Sequence, residues 1–375
     1  DLIGPASLPY WFRANRVQRH FEASLNRAEQ AGSLDATFFT NWLEGIADTM
    51  AERGSRVWVG LAKNAGEGAW WPTRVGESHP LATRKDAFSD YFFRAARERG
   101  MRYLAYYRHD IEDALEALHP DWLVRDAEGN TVPSPRNSQS SWQSLYSPFA
   151  GFVEDRLVEL AELGADGVYF DNVHMPSVDY SPFARSAFKS EYGYAMPNPM
   201  NEYSSEYQKA AGLTARTITD SFASWKRAVG SVSPEMVFVI AGTPLVEFDA
   251  LHHEESLAQV ADSLKIEFQK CFGGQQHYPS SPLVQMINQY PEYWMPPRSL
   301  QEALAWLIAR DLTHGRPAHV WNFKPEPTYG ETMHTSMALV AHGCIASNQQ
   351  VMYPQEHAYN ELFAMNEALA PVFSK

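Results

Sequence analysis

The sequence repeats one unit, an amphipathic segment followed by a short apolar run that ends in polar residues. The unit is clearest around residues 164–172, Gly-Ala-Asp-Gly-Val-Tyr-Phe-Asp-Asn. Before this stretch, Ser147 as N-cap and Pro148 at the first helical position predict a helix that ends at Gly164. The apolar run predicts a buried parallel strand, which would deliver Asp171 at the sheet edge where parallel α/β proteins hold active sites. The alternative is that Asp171 caps the next helix.

The same unit recurs along the whole chain, and it predicts about eight strands separated by helices. Because no break in composition divides the 375 residues, we expect a single domain over residues 1–375. The predicted fold class is α/β, a closed (β/α)8 TIM barrel with long βα loops, rather than an open doubly wound sheet. The predicted strands are at residues 9–15, 56–62, 101–107, 168–170, 236–241, 263–268, 318–323 and 344–348, and the helices at 38–53, 86–99, 147–164, 183–192, 213–229, 300–313, 332–341 and 359–369.

Composition narrows the classes of partner. The formal net charge of −14 disfavours nucleic acid and anionic membranes, because both attract basic surfaces, so we expect neither as a partner. Cys271 and Cys344 are the two cysteines, and their spacing matches neither a disulfide framework nor a zinc site. No apolar run reaches membrane-spanning length. The chain starts at Asp1, so both a cytoplasmic location and secretion with removal of a signal peptide stay open. A homo-oligomer is also possible.

The predicted strand ends and their loops carry carboxylates, amides, cations and aromatic rings. No glycine motif for a dinucleotide or a phosphate follows any strand, and no metal spacing is present, so we predict no cofactor and no metal. Sugar hydroxyls need donors and acceptors and sugar faces stack on aromatic rings, so this set indicates a carbohydrate substrate. The polar passage at residues 119–141 is a candidate substrate-facing loop. The candidate substrate-binding residues are Lys63, Asn64, Trp71, Tyr107, Arg108, His109, Asn172, His174, Trp321 and Asn322.

Three stretches resemble the α-L-fucosidases of glycoside hydrolase family 29. Residues 59–64, Val-Gly-Leu-Ala-Lys-Asn, with Gly68 and Trp70 beyond them, resemble the Lys-His-His-Asp-Gly-Phe region of that family. Residues 104–107, Leu-Ala-Tyr-Tyr, resemble its Gly-Leu-Tyr-Tyr-Ser strand. Residues 166–171, Asp-Gly-Val-Tyr-Phe-Asp, resemble the strand that ends in Trp-Phe-Asp, whose Asp is the catalytic nucleophile. The resemblance spans most of the chain and implies a fucosidase-like glycoside hydrolase barrel.

The resemblance implies a retaining exo-glycosidase with Asp171 as the nucleophile. Retaining hydrolysis also needs a carboxylic acid that protonates the leaving oxygen and then activates water. The best candidate for this acid/base is Glu267 at the end of its strand, and Glu247 is the rival. The alternative role of Glu267 is an ion pair with Lys265 or Lys270. The paired histidines of the fucosidases are replaced here by Asn64-Ala65, so the resemblance does not identify the sugar.

Two other functions fit the same residues. One is a carbohydrate-binding barrel without hydrolytic activity, because fold alone does not establish catalysis. The other is a metal-assisted barrel hydrolase that uses His109, Asp171 and His174. The two histidines are equally suited to structural roles, and Arg108 either binds a carboxylated sugar or pairs with a neighbouring acid.

Overall fold

The computed structural model describes residues 7–9, 47–48, 51, 57–63, 66, 68–79, 88–134, 137–171, 173, 175–201, 203–241, 257–267, 318–321 and 344–347.

An eight-stranded sheet, parallel throughout, runs through the described residues. The spatial order of its strands follows the chain, as expected when each strand is joined to its neighbour by a crossover connection. Cα atoms of the first and last strands of this order lie within 8 Å of each other. The strands are β1 (Ser7–Pro9), β2 (Val57–Lys63), β3 (Arg102–Arg108), β6 (Gly167–Asp171), β7 (Val237–Ala241), β8 (Ser263–Glu267), β9 (Ala318–Trp321) and β10 (Cys344–Ser347).

Helices and one hairpin occupy the connections. The antiparallel hairpin is formed by β4 (Pro133–Ser134) and β5 (Asn137–Ser141) in the segment after β3. Within the described ranges, no helix is long and apolar enough to cross a bilayer. The helices are α1 (Phe88–Glu98), α2 (Asp113–Leu118), a 3-10 turn (Pro120–Trp122), α3 (Phe149–Leu163), α4 (Pro182–Tyr192) and α5 (Ser205–Val232).

The unit formed by α3 and β6 follows from its sequence pattern. Val153, Leu157 and Leu160 recur at helical spacing and are fully buried, so α3 presents one apolar stripe to the sheet. The helix ends at Gly164, whose φ of 89° lies in the left-handed region that a residue without Cβ adopts at little cost. Gly167 then starts β6, and a Cβ there would lie 2.5 Å from Cδ2 of Leu104 on the neighbouring strand.

The two faces of the sheet have different partners. On the helical face, Tyr103 of β3 packs edge-on against Phe93 of α1, and Phe170 of β6 packs against Trp225 of α5. Because side chains alternate along a strand, the residues before and after Phe170 lie on the opposite face, which we call the inner face. Tyr169 stacks there with Tyr106, at 6.0 Å between ring centroids.

Most of the predicted elements that fall within the described residues are confirmed. Strands at 56–62, 101–107, 236–241, 263–268, 318–323 and 344–348 appear within two residues of their predicted bounds. The first strand, predicted at 9–15, is β1 at Ser7–Pro9, and residues 10–15 lie outside the described residues. Helix α5 begins at Ser205, eight residues before its predicted start. Of the predicted helix at 38–53 only three residues are described, and the helices at 300–313, 332–341 and 359–369 lie outside.

Candidate active site

Asp171 is the last residue of β6 and is 3% exposed. The hydroxyl of Tyr106 on β3 donates a hydrogen bond to Asp171 Oδ2, at 2.7 Å. Burial and the charge of Asp171 raise the pKa of Tyr106 well above its usual value, so the hydroxyl stays protonated and remains a donor. The next helix, α4, takes Ser181 as its N-cap, so the alternative that Asp171 caps a helix is wrong.

Arg108 ends β3 and is the register partner of Asp171 across the two strands. Its side chain is held by Asp110, with Nε donating to Oδ1 at 3.0 Å and Nη2 to Oδ2 at 2.5 Å. Nη2 also donates to Oγ of Ser134 in the β4/β5 hairpin, at 3.3 Å. The segment predicted as a substrate-facing loop therefore contacts Arg108. Of the two roles considered for Arg108, pairing with a neighbouring acid is the one observed.

Burial tends to lower the pKa of Arg108, but the negative charge of Asp110 and its hydrogen bonds outweigh burial and raise the pKa. Burial likewise tends to raise the pKa of Asp110, and the charge of Arg108 reverses that effect and lowers it. Both groups are therefore ionised at neutral pH, and their charges cancel.

Lys63 lies on the helical face, in a buried ionic cluster. A register irregularity in β2 between Leu61 and Lys63 brings Lys63 level with Tyr107. Its Nζ donates to the carbonyl of Arg108 at 2.9 Å and to that of Ile111 at 2.5 Å, and lies 3.4 Å from Oε2 of Glu112. These contacts indicate that Lys63 holds the chain after β3 in place. They do not bring its ammonium group to Asp171.

Tyr107 and Trp71 also lie on the helical face. The Tyr107 ring packs edge-on against Phe170 and is fully buried. Trp71 is 1% exposed, and its Nε1 donates to Oε2 of Glu159 on α3, at 3.1 Å. Both side chains are buried and leave no surface for a sugar, so the geometry indicates structural roles for the two residues.

His109 points into the aromatic core under α5. Its ring packs edge-on against Phe222 at 5.3 Å, and it also contacts Phe170 and Trp225. Burial lowers the pKa of His109 to about 4, so the imidazole is neutral at physiological pH. This position, behind the strand that carries Asp171, supports the structural role and not a substrate contact.

Glu267 is the last residue of β8, and the strand pairing gives its level in the sheet relative to Asp171. Phe170, Ile240 and Leu264 are at one level across β6, β7 and β8. Asp171 lies one position beyond this level and Glu267 three positions beyond it. Because side chains alternate between the two faces along a strand, both positions belong to the same face and the same edge of the sheet.

Of the remaining predicted site residues, Trp321 ends β9. The others lie outside the described residues, as does the rival acid Glu247: Asn64, Asn172, His174 and Asn322.

Two residues of this edge were missed by the sequence analysis, Tyr106 and Asp110. The alternation of β3 identifies Tyr106, since Tyr106 and Arg108 share one face and Tyr107 takes the other. Asp110 follows Arg108 by two residues, and an acid at that spacing from a buried cation is a candidate partner.

Within the described residues, no group of three or more His, Cys, Asp or Glu side chains is arranged to hold a metal ion.

The comparison with sequence families links this region to glycoside hydrolases. The family described as "Hypothetical glycosyl hydrolase 6" matches residues 43–172, about a third of the chain. The matched segment includes β2, β3, α3 and β6, and it ends one residue after Asp171. A search of curated protein sequences finds no significant match.

Solved structures with a similar fold include several glycoside hydrolases. The α-L-fucosidase isoenzyme 2 from Paenibacillus thiaminolyticus superposes with a TM-score of 0.60 at 15% identity, covering 88% of this chain and 46% of the fucosidase chain. The β-galactosidase from the psychrophilic Marinomonas ef1 gives a TM-score of 0.62 at 14% identity, covering 89% of this chain and 58% of the galactosidase chain.

The PgaB (BpsB) glycoside hydrolase domain from Bordetella bronchiseptica gives a TM-score of 0.59 at 14% identity, covering 87% of this chain and 91% of that domain. This chain thus spans about half the length of the fucosidase and galactosidase chains, and most of the length of the PgaB domain. At these identities the similarity establishes a shared fold and no more.

Proposed function

We propose that the protein is a glycoside hydrolase that cleaves a glycosidic bond with retention of configuration, acting on the end of its substrate. The observation that carries the proposal is the buried Asp171 carboxylate, held by the Tyr106 hydroxyl at the carboxyl edge of a parallel sheet. The match to a glycosyl hydrolase family over residues 43–172 and the shared fold with glycoside hydrolases support it.

We also propose that the sheet closes as a (β/α)8 barrel. The approach of β1 to β10 supports this closure.

Asp171 is the proposed nucleophile. A carboxylate nucleophile attacks the anomeric carbon and forms a covalent glycosyl-enzyme intermediate. The hydrogen bond from Tyr106 to Oδ2 orients the carboxyl group before the substrate binds. A nucleophile that is fixed before the substrate arrives loses less entropy in reaching the transition state.

Glu267 is the proposed acid/base. It would protonate the departing oxygen in the first step and remove a proton from water in the second. Its position at the end of β8, on the same face and edge as Asp171, supports the pairing. A retaining pair requires carboxyl groups roughly 5–5.5 Å apart. Glu247 stays the alternative acid.

The alternative functions differ in how well the geometry supports them. A carbohydrate-binding barrel without activity would use the same edge of the sheet, and an activity assay separates it from a hydrolase. A metal-assisted hydrolase would need His109 beside Asp171. The His109 ring packs instead among Phe222 and Trp225 on the helical face, so the geometry disfavours that site.

A panel of aryl glycosides, covering the common hexoses, 6-deoxyhexoses and pentoses in both anomeric forms, tests the proposed function. We expect at least one member to be hydrolysed, and Asp171→Asn to lower kcat on it by about 10³-fold or more, because an amide cannot form the glycosyl intermediate. The matched control is Asp179→Asn, which changes another buried aspartate, one that bonds Ser144 and Ser181. A folded Asp171→Asn protein with near-normal turnover refutes the assignment.

A further inference from the structure

We propose that Lys265 of β8 is a positioning residue of this site, and that its ammonium group forms an ion pair with the Asp171 carboxylate. The pair holds the proposed nucleophile ionised and in place, and it leaves Glu267 available for the acid/base role. The effect on catalysis rests on the proposed function, whereas the ion pair itself does not.

The first step of the argument is the position of Lys265 in the sheet. Phe170 pairs with Ile240 across β6 and β7. Asp171 and Ala241 each follow by one residue and are therefore level with each other. Ala241 pairs in turn with Lys265 across β7 and β8. Because partners in adjacent strands lie on the same face, the strand register assigns Lys265 to the inner face at the level of Asp171.

The second step is the space between the two positions. Only β7 separates β6 from β8, so the Cα atoms of Asp171 and Lys265 lie about two strand spacings, roughly 10 Å, apart. Ala241 occupies the position between them, and its methyl group fills little of that space. Lysine has a flexible four-carbon stem, which is long enough to cross such a gap to a carboxylate.

The third step is the burial of Asp171. Its side chain is 3% exposed and accepts a hydrogen bond from the neutral hydroxyl of Tyr106. An ionised carboxylate that leaves water needs charged or hydrogen-bonded partners to compensate for the lost hydration. Arg108, the neighbour on β3, is bound by both carboxylate oxygens of Asp110. Lys265 supplies a cation at the same level from the other side.

The fourth step concerns Glu267, which lies two residues beyond Lys265 on the same strand and the same face. An acid/base must start each cycle protonated, and an ammonium group paired with Glu267 would favour its ionised form. A carboxylate nucleophile must be ionised before it attacks. The chemistry therefore favours Asp171 over Glu267 as the partner of Lys265.

Thermal unfolding of a double-mutant cycle tests the pair without any substrate. Lys265→Met removes the charge and keeps the length of the side chain. We expect it to lower the thermal midpoint by about 3 °C or more, because a buried carboxylate loses its cation. Adding Asp171→Asn should restore most of this loss, and adding Glu267→Gln should not. Losses from Lys265→Met and Asp171→Asn that simply add, or a recovery by Glu267→Gln instead, overturn the proposal.

The matched control is Lys226→Met, because Lys226 forms an ion pair with Asp262, at 2.7 Å, near the start of β7. Its loss of stability should add to that of Asp171→Asn. If Lys265→Met alone does not fold, the double variant Lys265→Met/Asp171→Asn decides. Its recovery as folded protein supports the pair, and its failure to fold overturns it.

Kinetics on aryl glycosides separate a positioning role from a purely structural one. We expect Lys265→Met to lower kcat/KM by about tenfold to a hundredfold for good and poor leaving groups alike, because every substrate needs the nucleophile. Lys265→Arg keeps the charge and should retain most of the activity. A loss confined to poor leaving groups would mean that Lys265 serves Glu267, and it would overturn the proposal.

The two measurements distinguish this inference from the proposed function. Coupling between Lys265 and Asp171 in thermal unfolding, without hydrolysis of any glycoside, contradicts the hydrolase and supports the ion pair. Hydrolysis by the wild type, with additive losses of stability in the variants, contradicts the ion pair and supports the hydrolase.

Discussion

Tyr106 shows how one residue prepares the proposed nucleophile for attack. Its ring stacks on Tyr169 of the neighbouring strand, and its hydroxyl reaches the carboxylate two residues further along that strand. The ring is therefore fixed by packing and the carboxylate by the hydroxyl. Two adjacent strands in register are enough to build this arrangement, because their side chains on one face lie side by side.

We expect Tyr106→Phe to lower kcat on an aryl glycoside by about tenfold to a hundredfold, with little change in thermal stability. The phenyl ring fills the same space, but the hydrogen bond that orients Asp171 is lost. Steady-state kinetics check the expectation. Tyr146→Phe is the control, since the Tyr146 hydroxyl bonds the hydroxyl of Thr214 of α5. Equal rates for wild type and Tyr106→Phe would show that the hydroxyl is dispensable.

The burial of His109 should make the free energy of unfolding decrease at acidic pH. Burial lowers its pKa to about 4 in the folded protein, although Asp110 acts in the opposite direction, and the unfolded value is about 6.5. The unfolded chain binds the proton first, so this contribution is complete above pH 6.5. It is lost as the pH falls from 6.5 to 4, by up to about 3 kcal/mol.

We expect His109→Phe to remove much of this acid sensitivity, which thermal unfolding between pH 4 and 8 measures. The phenyl ring suits the apolar surroundings and carries no titrating group. His119→Phe is the control, because the His119 ring stacks on Trp122 and is partly exposed. If His109→Phe loses stability with falling pH as steeply as the wild type, His109 is not the titrating group.

At the scale of the elements, an ionic cluster joins three parts of the chain. Glu112, which precedes α2, lies between Lys63 of β2 and Arg156 of α3, and all three side chains are about 1% exposed or less. Arg156 also donates to the carbonyls of Val75 and Glu77, at 2.8 and 3.0 Å. The cluster thereby connects the ends of β2 and β3 with the helix that leads into β6.

We expect Glu112→Gln to reduce the free energy of unfolding by about 3–5 kcal/mol, because two buried cations lose the anion between them. Chemical denaturation measures the change. Glu191→Gln, in an exposed pair with Arg216, should cost less than about 1 kcal/mol. A loss from Glu112→Gln no larger than that of Glu191→Gln would mean that the buried cluster contributes little to stability.

At the scale of the whole molecule, the parallel sheet brings strand ends from distant parts of the chain to one edge. Asp171 and Glu267 are 96 residues apart in the sequence, yet β7 alone separates their strands. A nucleophile and an acid at the ends of two strands with one strand between them can approach the anomeric carbon from opposite sides, as retaining hydrolysis requires.

We therefore expect the first product to keep the anomeric configuration of the substrate. Proton NMR of the reaction detects the first-formed anomer before mutarotation, and an inactive Asp171→Asn sample provides the baseline. An initial product of the opposite configuration would mean that water attacks directly. In that case the carboxyl groups would stand about 6.5–9.5 Å apart, and Asp171 would act as a base.

The sequence by itself determined the order of the elements and the location of Asp171 at a strand end. These features depend on local patterns, since the apolar stripe of α3, the glycine at its end and the apolar run of β6 each lie within a few residues of one another. The strand predictions from 56–62 to 344–348 succeeded for the same reason. The helical pattern before 213 is weaker in apolar residues, which is why α5 was predicted too short.

Only the tertiary structure decided which polar residues at the strand ends belong with Asp171. Lys63 is turned to the helical face by an irregularity in β2, and Trp71 is bound to Glu159, which is 88 residues away. His109 lies beyond the end of β3, so strand alternation does not determine its side. Contacts between distant segments set these orientations, and local periodicity carries no information about them. Tyr106 and Arg108 take their place beside Asp171 because the β3–β6 register aligns them.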